Sequence, residues 1–429
     1  MEKWVVSAKR ADFQQIGKTF GIDQVTARLI RNRDVVGDEA IEEYLNGSLL
    51  HLNSPHLLKD CDKAVSILME KIEEQKKIRI LGDYDIDGVC STYILYQGLR
   101  RCGANVDTDI PDRIRDGYGI NQDLIDLAWE DGVDTILTCD NGISAYDQVE
   151  YANALGITVI ITDHHEIPEK LPRARAIVNP KQEDCPYPYK GLCGGAVAYQ
   201  VISCLYEAMG IEREEAWEWI EFAAIATVGD VMDLTGENRI LVKEGLFRIG
   251  RTKNAGLAAL IQVNGLDPER ISAYHIGFVL GPCINACGRL DTAKKALELL
   301  LTDSKQEAMR LAGELKELNE ERKEMTQKGV EQAVELIEHS SLKEDKVLVV
   351  FLPDCHESLA GIIAGRIRER YYRPVFVLTR GEEGVKGSGR SIEGYHMFRE
   401  MERCMEHGAI PWQLGFPWKR KRLNCSERG

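Results

Sequence analysis

Three aspartates in the segment DYDIDG, at positions 83, 85 and 87, form the densest group of chemically capable side chains in the sequence. They follow the apolar segment IRIL directly, so alternation along an extended chain is expected to point Asp83, Asp85 and Asp87 to one side. Such a segment is also typical of an Asp-rich turn between a strand and a helix. The motif therefore indicates a metal-binding loop only if further ligands lie nearby.

Further carboxylates and imidazoles follow other apolar segments. Asp140 lies in TCDNG, His164 and His165 lie in TDHHE, and Asp230 lies in ATVGDVMDL, where an unpaired carboxylate would be costly. Four separate element ends thus supply Asp and His, and this combination without thiolates favours Mn²⁺ or Mg²⁺ over structural zinc. A set of this size fits two cations, which clamp the attacking and leaving oxygens of a phosphoryl transfer and acidify a bridging water.

The elements that must position these residues alternate between amphipathic helices and short apolar strands. The pattern predicts a helix at 64–74 and then strands at 78–81, 135–138, 158–161 and 176–178. This alternation predicts an α/β fold with a mostly parallel sheet, whose ligands bind beyond the carboxyl ends of the strands.

The chemical segments match, in order, the motifs of a known family. DYDIDG, CDNGIS, TDHHE and GDVMDL resemble the RecJ form of the DHH phosphoesterase family, and the resemblance covers roughly residues 50–400. It implies that Asp140 bridges two cations, that Asp83 binds one cation or orients the metal water, and that His165 stabilises charge developing at the scissile phosphate. It implies five metal ligands: Asp85, Asp87, Asp140, His164 and Asp230.

Three later segments extend this resemblance. CHESLAGIIAGRI and GSGRS resemble the DHH-associated lobe, in which Gly-rich turns bring backbone N–H groups close to an anion, and GPCINACGRL resembles a RecJ motif that faces the cleft. A plain loop for GSGRS and a helix-cap or ion-pair role for Arg289 remain open alternatives. The resemblance implies that the substrate is bound by Asn285, Arg289, His356, Ser388 and Arg390.

The predicted fold is a parallel-sheet DHH domain with a helical lead-in, a long connecting helix and a partial second α/β lobe. The connecting helix is expected because the segment after 292 is nearly free of Gly and Pro and dense in Glu and Lys. The segments, in order, are a helical lead-in (1–60), the DHH phosphoesterase domain (61–235), a helical part of the core (236–292), the connecting helix (293–340), a partial DHH-associated domain (341–407) and an aberrant tail (408–429).

The tail departs from the family pattern. RecJ proteins usually continue through a motif of the form GGHPMAAG into an OB-type nucleic-acid-binding domain, whereas this sequence ends in GAIPWQLGFPWKRKRLNCSERG. Back-translated from the third base of the Gly408 codon, the tail can be read in a shifted frame as GHPMAAGLSL, so we hypothesise a frameshift near residue 407. A short basic tail that binds nucleic acid is the alternative. The hypothesis predicts lower stability and weaker DNA affinity.

Composition limits the classes of protein that fit. A formal net charge of -15 argues against nonspecific coating of nucleic acid, because such binding is largely phosphate neutralisation by Lys and Arg. The sequence shows neither an apolar run that could span a bilayer nor a signal peptide, so no membrane contact and a cytoplasmic location are expected. The twelve cysteines contain no CxxC pair and are expected to be reduced and mostly structural.

The resemblance implies an exonuclease (hydrolase) that uses two divalent cations, Mn²⁺ or Mg²⁺, to digest single-stranded DNA from 5′ to 3′ in DNA repair and recombination. It implies single-stranded DNA as the partner, with a helicase and a single-strand-binding protein as further candidates. One alternative is a DHH hydrolase of short oligonucleotides, cyclic dinucleotides or pyrophosphate. The other is a RecJ-like scaffold without catalysis, which the retained Asp and His residues disfavour.

Overall fold

Two compact units make up the part of the chain that the computed structural model describes, which is residues 9–113, 117, 119–381 and 384–406. The first unit contains the residues up to Gly288 and then 292–314, and the second contains 289–291 and the residues from 315 onward. The aberrant tail and the hypothesised frameshift lie outside the described residues.

The helical lead-in is confirmed for the described residues of that segment. Its first two helices begin at capping aspartates, since the carboxylates of Asp12 and Asp23 accept hydrogen bonds from backbone N–H groups of the first turn. The helices of the lead-in are α1 (Phe13–Phe20), α2 (Gln24–Asn32) and α3 (Asp38–Asn46).

A five-stranded, wholly parallel sheet forms the centre of the first unit, with strand order β2-β1-β3-β4-β5. Its strands are β1 (Lys77–Leu81), β2 (Asn105–Asp109), β3 (Thr135–Cys139), β4 (Thr158–Thr162) and β5 (Ala176–Val178). The four predicted strands are confirmed. The edge strand β2 escaped prediction because its sequence, NVDTD, is polar and it is only partly buried.

Helices cover this sheet and continue as a helical layer up to residue 301. The helix α8 is buried at every position from Gly194 to Tyr206, so its sequence shows no polar stripe. The helices are α4 (Cys61–Glu73), α5 (Ile86–Arg101), α6 (Gln122–Glu130), α7 (Tyr146–Ala154), α8 (Gly194–Ala208), α9 (Ile220–Gly229), α10 (Gly236–Ile249), α11 (Ala255–Val263), α12 (Ala273–His275), α13 (Gly281–Leu290) and α14 (Lys294–Leu301).

The structure corrects the expectation that DYDIDG is an extended segment. The helix α5 already begins at Ile86, and Asp85 is its N-cap, whose carboxylate accepts hydrogen bonds from the N–H groups of Asp87 and Gly88. The chain therefore enters a helix capped by Asp85, and the side chains of the motif do not alternate as they would along a strand. Asp87 lies in the first turn of this helix, so side-chain directions along the motif follow the helix rather than a strand.

The single connecting helix expected at 293–340 is two helices. The first is α14, and α15 (Lys305–Glu338) begins after a break at 302–304. Thr302 is extended, and the hydroxyl oxygen of Ser304 accepts a hydrogen bond from the N–H of Glu307 at 3.3 Å. A serine before a helix is a helix-start signal, so the break has a local cause.

The second unit contains a three-stranded sheet of order β6-β7-β8, with β6 parallel and β8 antiparallel to β7. Its elements are β6 (Leu348–Phe351), α16 (Ala360–Tyr371), β7 (Val375–Gly381), β8 (Gly384–Arg390) and α17 (Met397–Glu406). The segment GSGRS, expected to be a Gly-rich turn, lies largely in β8. Pairing with β7 explains its glycines, since a Cβ on Gly387 would lie 2.4 Å from the Leu378 side chain.

None of the helices within the described ranges combines the length and the apolar character needed to cross a membrane.

Candidate metal centre

The predicted ligands come together at the carboxyl edge of the first sheet. Asp83 follows β1 by two residues, Asp140 directly follows β3, and His164 follows β4 by two residues. Because these strands are adjacent and parallel, their ends lie side by side. Asp230 does not follow a strand, because it is the C-cap residue of the helix α9.

One group of carboxylates gathers around the β1 loop. Oxygens of Asp83, Asp85 and Asp140 lie within 4.8 Å of one another. Asp83 is buried, and its Oδ1 has no hydrogen-bond partner among the described residues. A buried carboxylate oxygen without a hydrogen-bond donor is costly, and a divalent cation satisfies it.

A second group contains Asp87, His164 and Asp230, whose ligand atoms also lie within 4.8 Å of one another. The carboxylate of Asp87 is fully buried and accepts hydrogen bonds from the N–H groups of Gly194 at 2.7 Å and Gly195 at 2.6 Å. These are the first residues of α8, so the positive end of that helix supports the negative charge of Asp87.

Asp140 lies between the two groups. Its Oδ1 is 3.0 Å from Nε2 of His164, and it belongs both to the carboxylate group and to a set with His164 and His165. Its backbone has φ of 59°, a left-handed conformation that Asp tolerates better than most residues. Gly194 is required beside it, because a Cβ there would lie 2.7 Å from Cβ of Asp140.

Asp163 holds the two histidines in place. Its Oδ1 accepts hydrogen bonds from the N–H of His164 at 2.7 Å and of His165 at 3.1 Å, and it lies 2.8 Å from Nδ1 of His165. The hydrogen bond to His165 lowers the pKa of Asp163, although burial opposes this effect. The same bond raises the pKa of His165, again against burial. The side chain of His165 is 45% exposed, so it faces the open side of the centre.

The carboxylates repel one another strongly. Burial, and then the charge of Asp85, raises the pKa of Asp83, while burial and the charge of Asp87 raise the pKa values of Asp85 and Asp140. The same causes raise the pKa of Asp230 to about 7. Such a cluster needs compensating positive charge to remain ionised near neutral pH, and divalent cations supply it. Carboxylates with imidazole fit Mn²⁺ or Mg²⁺.

The INACGRL motif supports the β1 loop. Oδ1 of Asn285 accepts a hydrogen bond from the N–H of Ile86 at 2.8 Å, at the start of α5. A Cβ on Gly288 would lie 2.3 Å from the carbonyl oxygen of Tyr84, so only glycine allows this approach. Asn285 therefore contacts the backbone beside the aspartates.

The remaining predicted substrate-binding residues gather in the second unit, at the start of α16. Nη1 of Arg289 donates a hydrogen bond to the carbonyl oxygen of Ser358 at 2.8 Å. Nδ1 of His356 lies 2.7 Å from Oγ of Ser358. Ser388 and Arg390 lie over the first turn of this helix, since a Cβ on Gly361 would be 2.9 Å from Oγ of Ser388 and 3.0 Å from Nη2 of Arg390. Positive side chains at a helix N-terminus form a suitable anion site.

Several contributing residues were missed at the sequence level. Gly194 and Gly195 support Asp87 from more than a hundred residues away, and no local pattern reveals this contact. Asn141 was also missed, although it follows Asp140 directly. Its amide donates hydrogen bonds to the carbonyl oxygens of Leu81 and Cys139, which joins the ends of β1 and β3. The Asp-Asn-Gly sequence after a strand was the available signal.

An exposed aromatic pair lies on the turn that packs against the end of α9. The rings of Tyr274 and Phe278 stack with centroids 5.0 Å apart, and they are 63% and 69% exposed. Between them, a Cβ on Gly277 would contact Val228, two residues before Asp230. Asp230 and the aromatic pair therefore lie on two elements that pack against each other.

The parallel sheet with Asp and His at its carboxyl edge defines a DHH-type domain, and the family model described as "DHH family, N-terminal domain" matches residues 77–228. The single-stranded-DNA-specific exonuclease RecJ of Escherichia coli is 38% identical over 88% of this chain and 67% of its own length. The RecJ exonuclease of Bacillus subtilis is 36% identical over 98% of this chain. The chain belongs to the RecJ family.

Solved structures agree with this assignment. The crystal structure of RecJ from Thermus thermophilus in complex with Mn²⁺ matches with a TM-score of 0.79 and 31% identity, over 92% of this chain and 55% of that chain. The chain also spans only 55% of the Bacillus subtilis relative. It therefore corresponds to about half to two thirds of the length of these three relatives.

Proposed function

We propose that the chain is a divalent-metal-dependent exonuclease, a phosphodiesterase that removes nucleotides from single-stranded DNA, from 5′ to 3′, in DNA repair and recombination. The observation that carries the proposal is the pair of ligand groups, Asp83, Asp85 and Asp140 beside Asp87, His164 and Asp230. Two adjacent groups, in which Oδ1 of Asp140 lies 3.0 Å from Nε2 of His164, fit the two-cation arrangement of phosphodiester hydrolysis. The RecJ relatives, which are named as single-stranded-DNA-specific exonucleases, support the substrate.

Two Mn²⁺ or Mg²⁺ ions would supply a hydroxide nucleophile at neutral pH and neutralise charge on the phosphate. In this proposal Asp85 and Asp140 would hold one cation, and Asp87, Asp140, His164 and Asp230 would hold the other. Asp83 would hold the first cation or orient the water that attacks the phosphate. The Mn²⁺ complex of the Thermus thermophilus relative supports manganese as one suitable ion.

His165 contacts the scissile phosphate in this proposal. Asp163 fixes its ring and favours its protonated form, and the ring remains half-exposed to an incoming substrate. A protonated imidazole at this place stabilises negative charge that develops on the phosphate oxygens.

The DNA backbone is proposed to bind the second unit at the start of α16. Arg289, His356, Ser388 and Arg390 present donors to an anion there, and the N–H groups of the helix add to them. Asn285 acts through the β1 loop, because its side chain is hydrogen-bonded to the backbone at Ile86. DNA binding is therefore local, as the net charge of -15 requires.

Tyr274 and Phe278 are proposed to stack on bases of the strand, since stacking contributes roughly 1–3 kcal/mol per base and tolerates any sequence. We expect Phe278→Ala to raise KM for long single strands without changing the turnover of dinucleotides. Phe247→Ala is the matched control, because Phe247 is 62% exposed near the end of α10. An equal effect of both changes would contradict a stacking role.

The test is digestion of 5′-labelled and 3′-labelled DNA, single-stranded and double-stranded, with Mn²⁺, Mg²⁺ or chelator. We expect metal-dependent loss of the single strand only, with mononucleotides released first from the 5′ end. Bound metal without cleavage of any strand would contradict the exonuclease proposal and favour the scaffold alternative. The control is Asp123→Asn, an exposed aspartate in the first turn of α6.

Short oligonucleotides are the second candidate substrate, since the same two ligand groups would serve a phosphodiester bond in a strand of any length. Hydrolysis rates for strands of increasing length separate the two. A rate that rises with length supports long single-stranded DNA, whereas a rate highest for dinucleotides supports the short substrate.

A helicase and a single-strand-binding protein are proposed partners, because both generate or hold single strands, and a cytoplasmic location is proposed with them. Co-purification of these proteins with the tagged chain from nuclease-treated lysate, together with cell fractionation, tests both statements. Recovery of the chain in the membrane fraction would contradict the location.

A further inference from the structure

A second group of metal-type ligands lies in the first unit, apart from the residues of the candidate metal centre. It joins three elements: the 3₁₀ turn Pro55–Leu57, the start of α4 and the helix α8. Ligand atoms of His56, Asp62 and Cys204 lie within 4.8 Å of one another. We propose that His56, Asp62 and Cys204 form a site for a thiophilic divalent cation of the Zn²⁺ class.

The separations of the ligand atoms fit a tetrahedral ion. Metal–ligand bonds of roughly 2.0–2.3 Å place neighbouring ligand atoms about 3.3–3.8 Å apart. Sγ of Cys204 lies 3.4 Å from Oδ1 of Asp62 and 3.8 Å from Nδ1 of His56. The third edge, between Nδ1 of His56 and Oδ1 of Asp62, is 2.5 Å and must open. The side chain of Asp62 is 66% exposed, so it has room to rotate.

A buried thiol distinguishes this group from an ordinary surface ion pair. Cys204 is buried, and its Sγ faces Oδ1 of Asp62. Cysteine sulfur together with an imidazole and a carboxylate is a donor set that suits Zn²⁺.

The imidazole is already oriented for binding. Nε2 of His56 faces Oε2 of Glu207 at 3.4 Å, while Nδ1 faces Asp62 and Cys204. A carboxylate on the far nitrogen of a ligating histidine fixes the ring and raises its basicity. An ion here would cross-link the lead-in side of α4 to α8, whose first residues support Asp87.

Co²⁺ binding at this site can be distinguished from binding at the candidate metal centre, because a sulfur-to-cobalt charge-transfer band arises only where a thiolate binds. The test is titration of the reduced full chain with Co²⁺ and then Zn²⁺, followed by absorption and by metal analysis. We expect one equivalent of Co²⁺ with this band, displaced by Zn²⁺. The band should disappear in Cys204→Ser and persist in Asp140→Asn, which alters the other centre.

Two further variants distinguish loss of the metal site from misfolding of the chain. His56→Ala changes a side chain that is 42% exposed, so it should fold and should lower the cobalt affinity at least about tenfold, as expected for loss of one ligand. Cys102→Ser removes a buried thiol at the end of α5 and should leave the band unchanged. Absence of the band in the unaltered reduced chain, or its survival in both His56→Ala and Cys204→Ser, would overturn the site.

Discussion

Asp140 is the side chain predicted to bridge the two ion positions, so its replacement tests the proposed chemistry directly. Asparagine tolerates the left-handed backbone at this position and preserves the shape of the side chain. We expect Asp140→Asn to lower nuclease turnover by more than about 100-fold, beyond the range typical of residues that only support a ligand. The measurement is turnover of labelled single-stranded DNA at saturating Mn²⁺.

The thermal stability of Asp140→Asn is the control for its effect on turnover. Burial and neighbouring carboxylates raise the pKa of Asp140, so removing its charge relieves repulsion in the metal-free chain. We therefore expect the thermal midpoint of Asp140→Asn in chelator to equal or exceed that of the unaltered chain. A lower midpoint together with lost turnover would identify Asp140 as a structural residue instead.

Glu221 provides a pH prediction away from the metal ligands. It is buried on α9 and accepts a hydrogen bond from the hydroxyl of Thr252 at 2.8 Å, and burial raises its pKa from 4.5 to about 7. Between pH 4.5 and 7 the unfolded chain therefore loses this proton while the folded chain keeps it. The free energy of unfolding falls across this window, by at most about 3 kcal/mol.

Glu221→Gln removes this titration and keeps an oxygen for Thr252. We expect the variant to become more stable relative to the unaltered chain as pH rises from 5 to 8, since only the unaltered chain must ionise a buried carboxyl. Urea unfolding of both proteins at each pH, in chelator, measures the difference. If the free energies of unfolding of the two proteins change with pH in the same way, ionisation of the Glu221 carboxyl does not destabilise the folded chain.

At the scale of elements, the approach of α13 to the β1 loop depends on Gly288. Alanine there would place Cβ 2.3 Å from the carbonyl oxygen of Tyr84, between Asp83 and Asp85. We expect Gly288→Ala to displace the loop and weaken Mn²⁺ binding by about 10- to 100-fold, as loss of ligand support usually does. Isothermal titration with Mn²⁺ measures the effect.

Gly313→Ala is the matched control for this substitution. It also lies in a helix, α15, but an added Cβ meets no heavy atom of the described residues within 4 Å. We expect unchanged Mn²⁺ affinity and a gain in stability of up to about 1 kcal/mol, because alanine is the better helix former. Weakened Mn²⁺ binding in Gly313→Ala would mean that the first result reflects general helix disturbance.

At the scale of the whole molecule, metal binding and folding are linked. All predicted metal ligands belong to the first unit, and their mutual repulsion opposes its folding until cations bind. At a hundredfold excess over Kd, a cation adds about 2.7 kcal/mol to stability. We expect Mn²⁺ to raise the unfolding midpoint and to slow amide exchange at 83–88 and 163–165.

Chelator should reverse both effects. The Cys204→Ser chain should respond to Mn²⁺ in the same way as the unaltered chain, because its proposed site takes a different ion. If Mn²⁺ slows exchange around His56 but not around the β1 loop, the predicted ligand assignment is wrong.

The sequence alone determined the identity of the metal-type residues and four of the five strands of the sheet around them. The strands are short apolar segments, and each Asp or His follows its strand within two residues, so local patterns were sufficient for Asp83, Asp140 and His164. The break between α14 and α15 was also a local signal, and it was missed because the whole segment is rich in helix formers.

Only the tertiary structure decided which ligands share a group and what supports them. Asp87 joins His164 and Asp230 because the first turn of α5 directs it to the start of α8, and Gly194 and Gly195 contact it from 107 and 108 residues along the chain. Likewise, β8 is a strand because β7 lies beside it, not because GVKGSGR favours one. Contacts between distant segments depend on packing and backbone hydrogen bonds, which leave little trace in the neighbouring sequence.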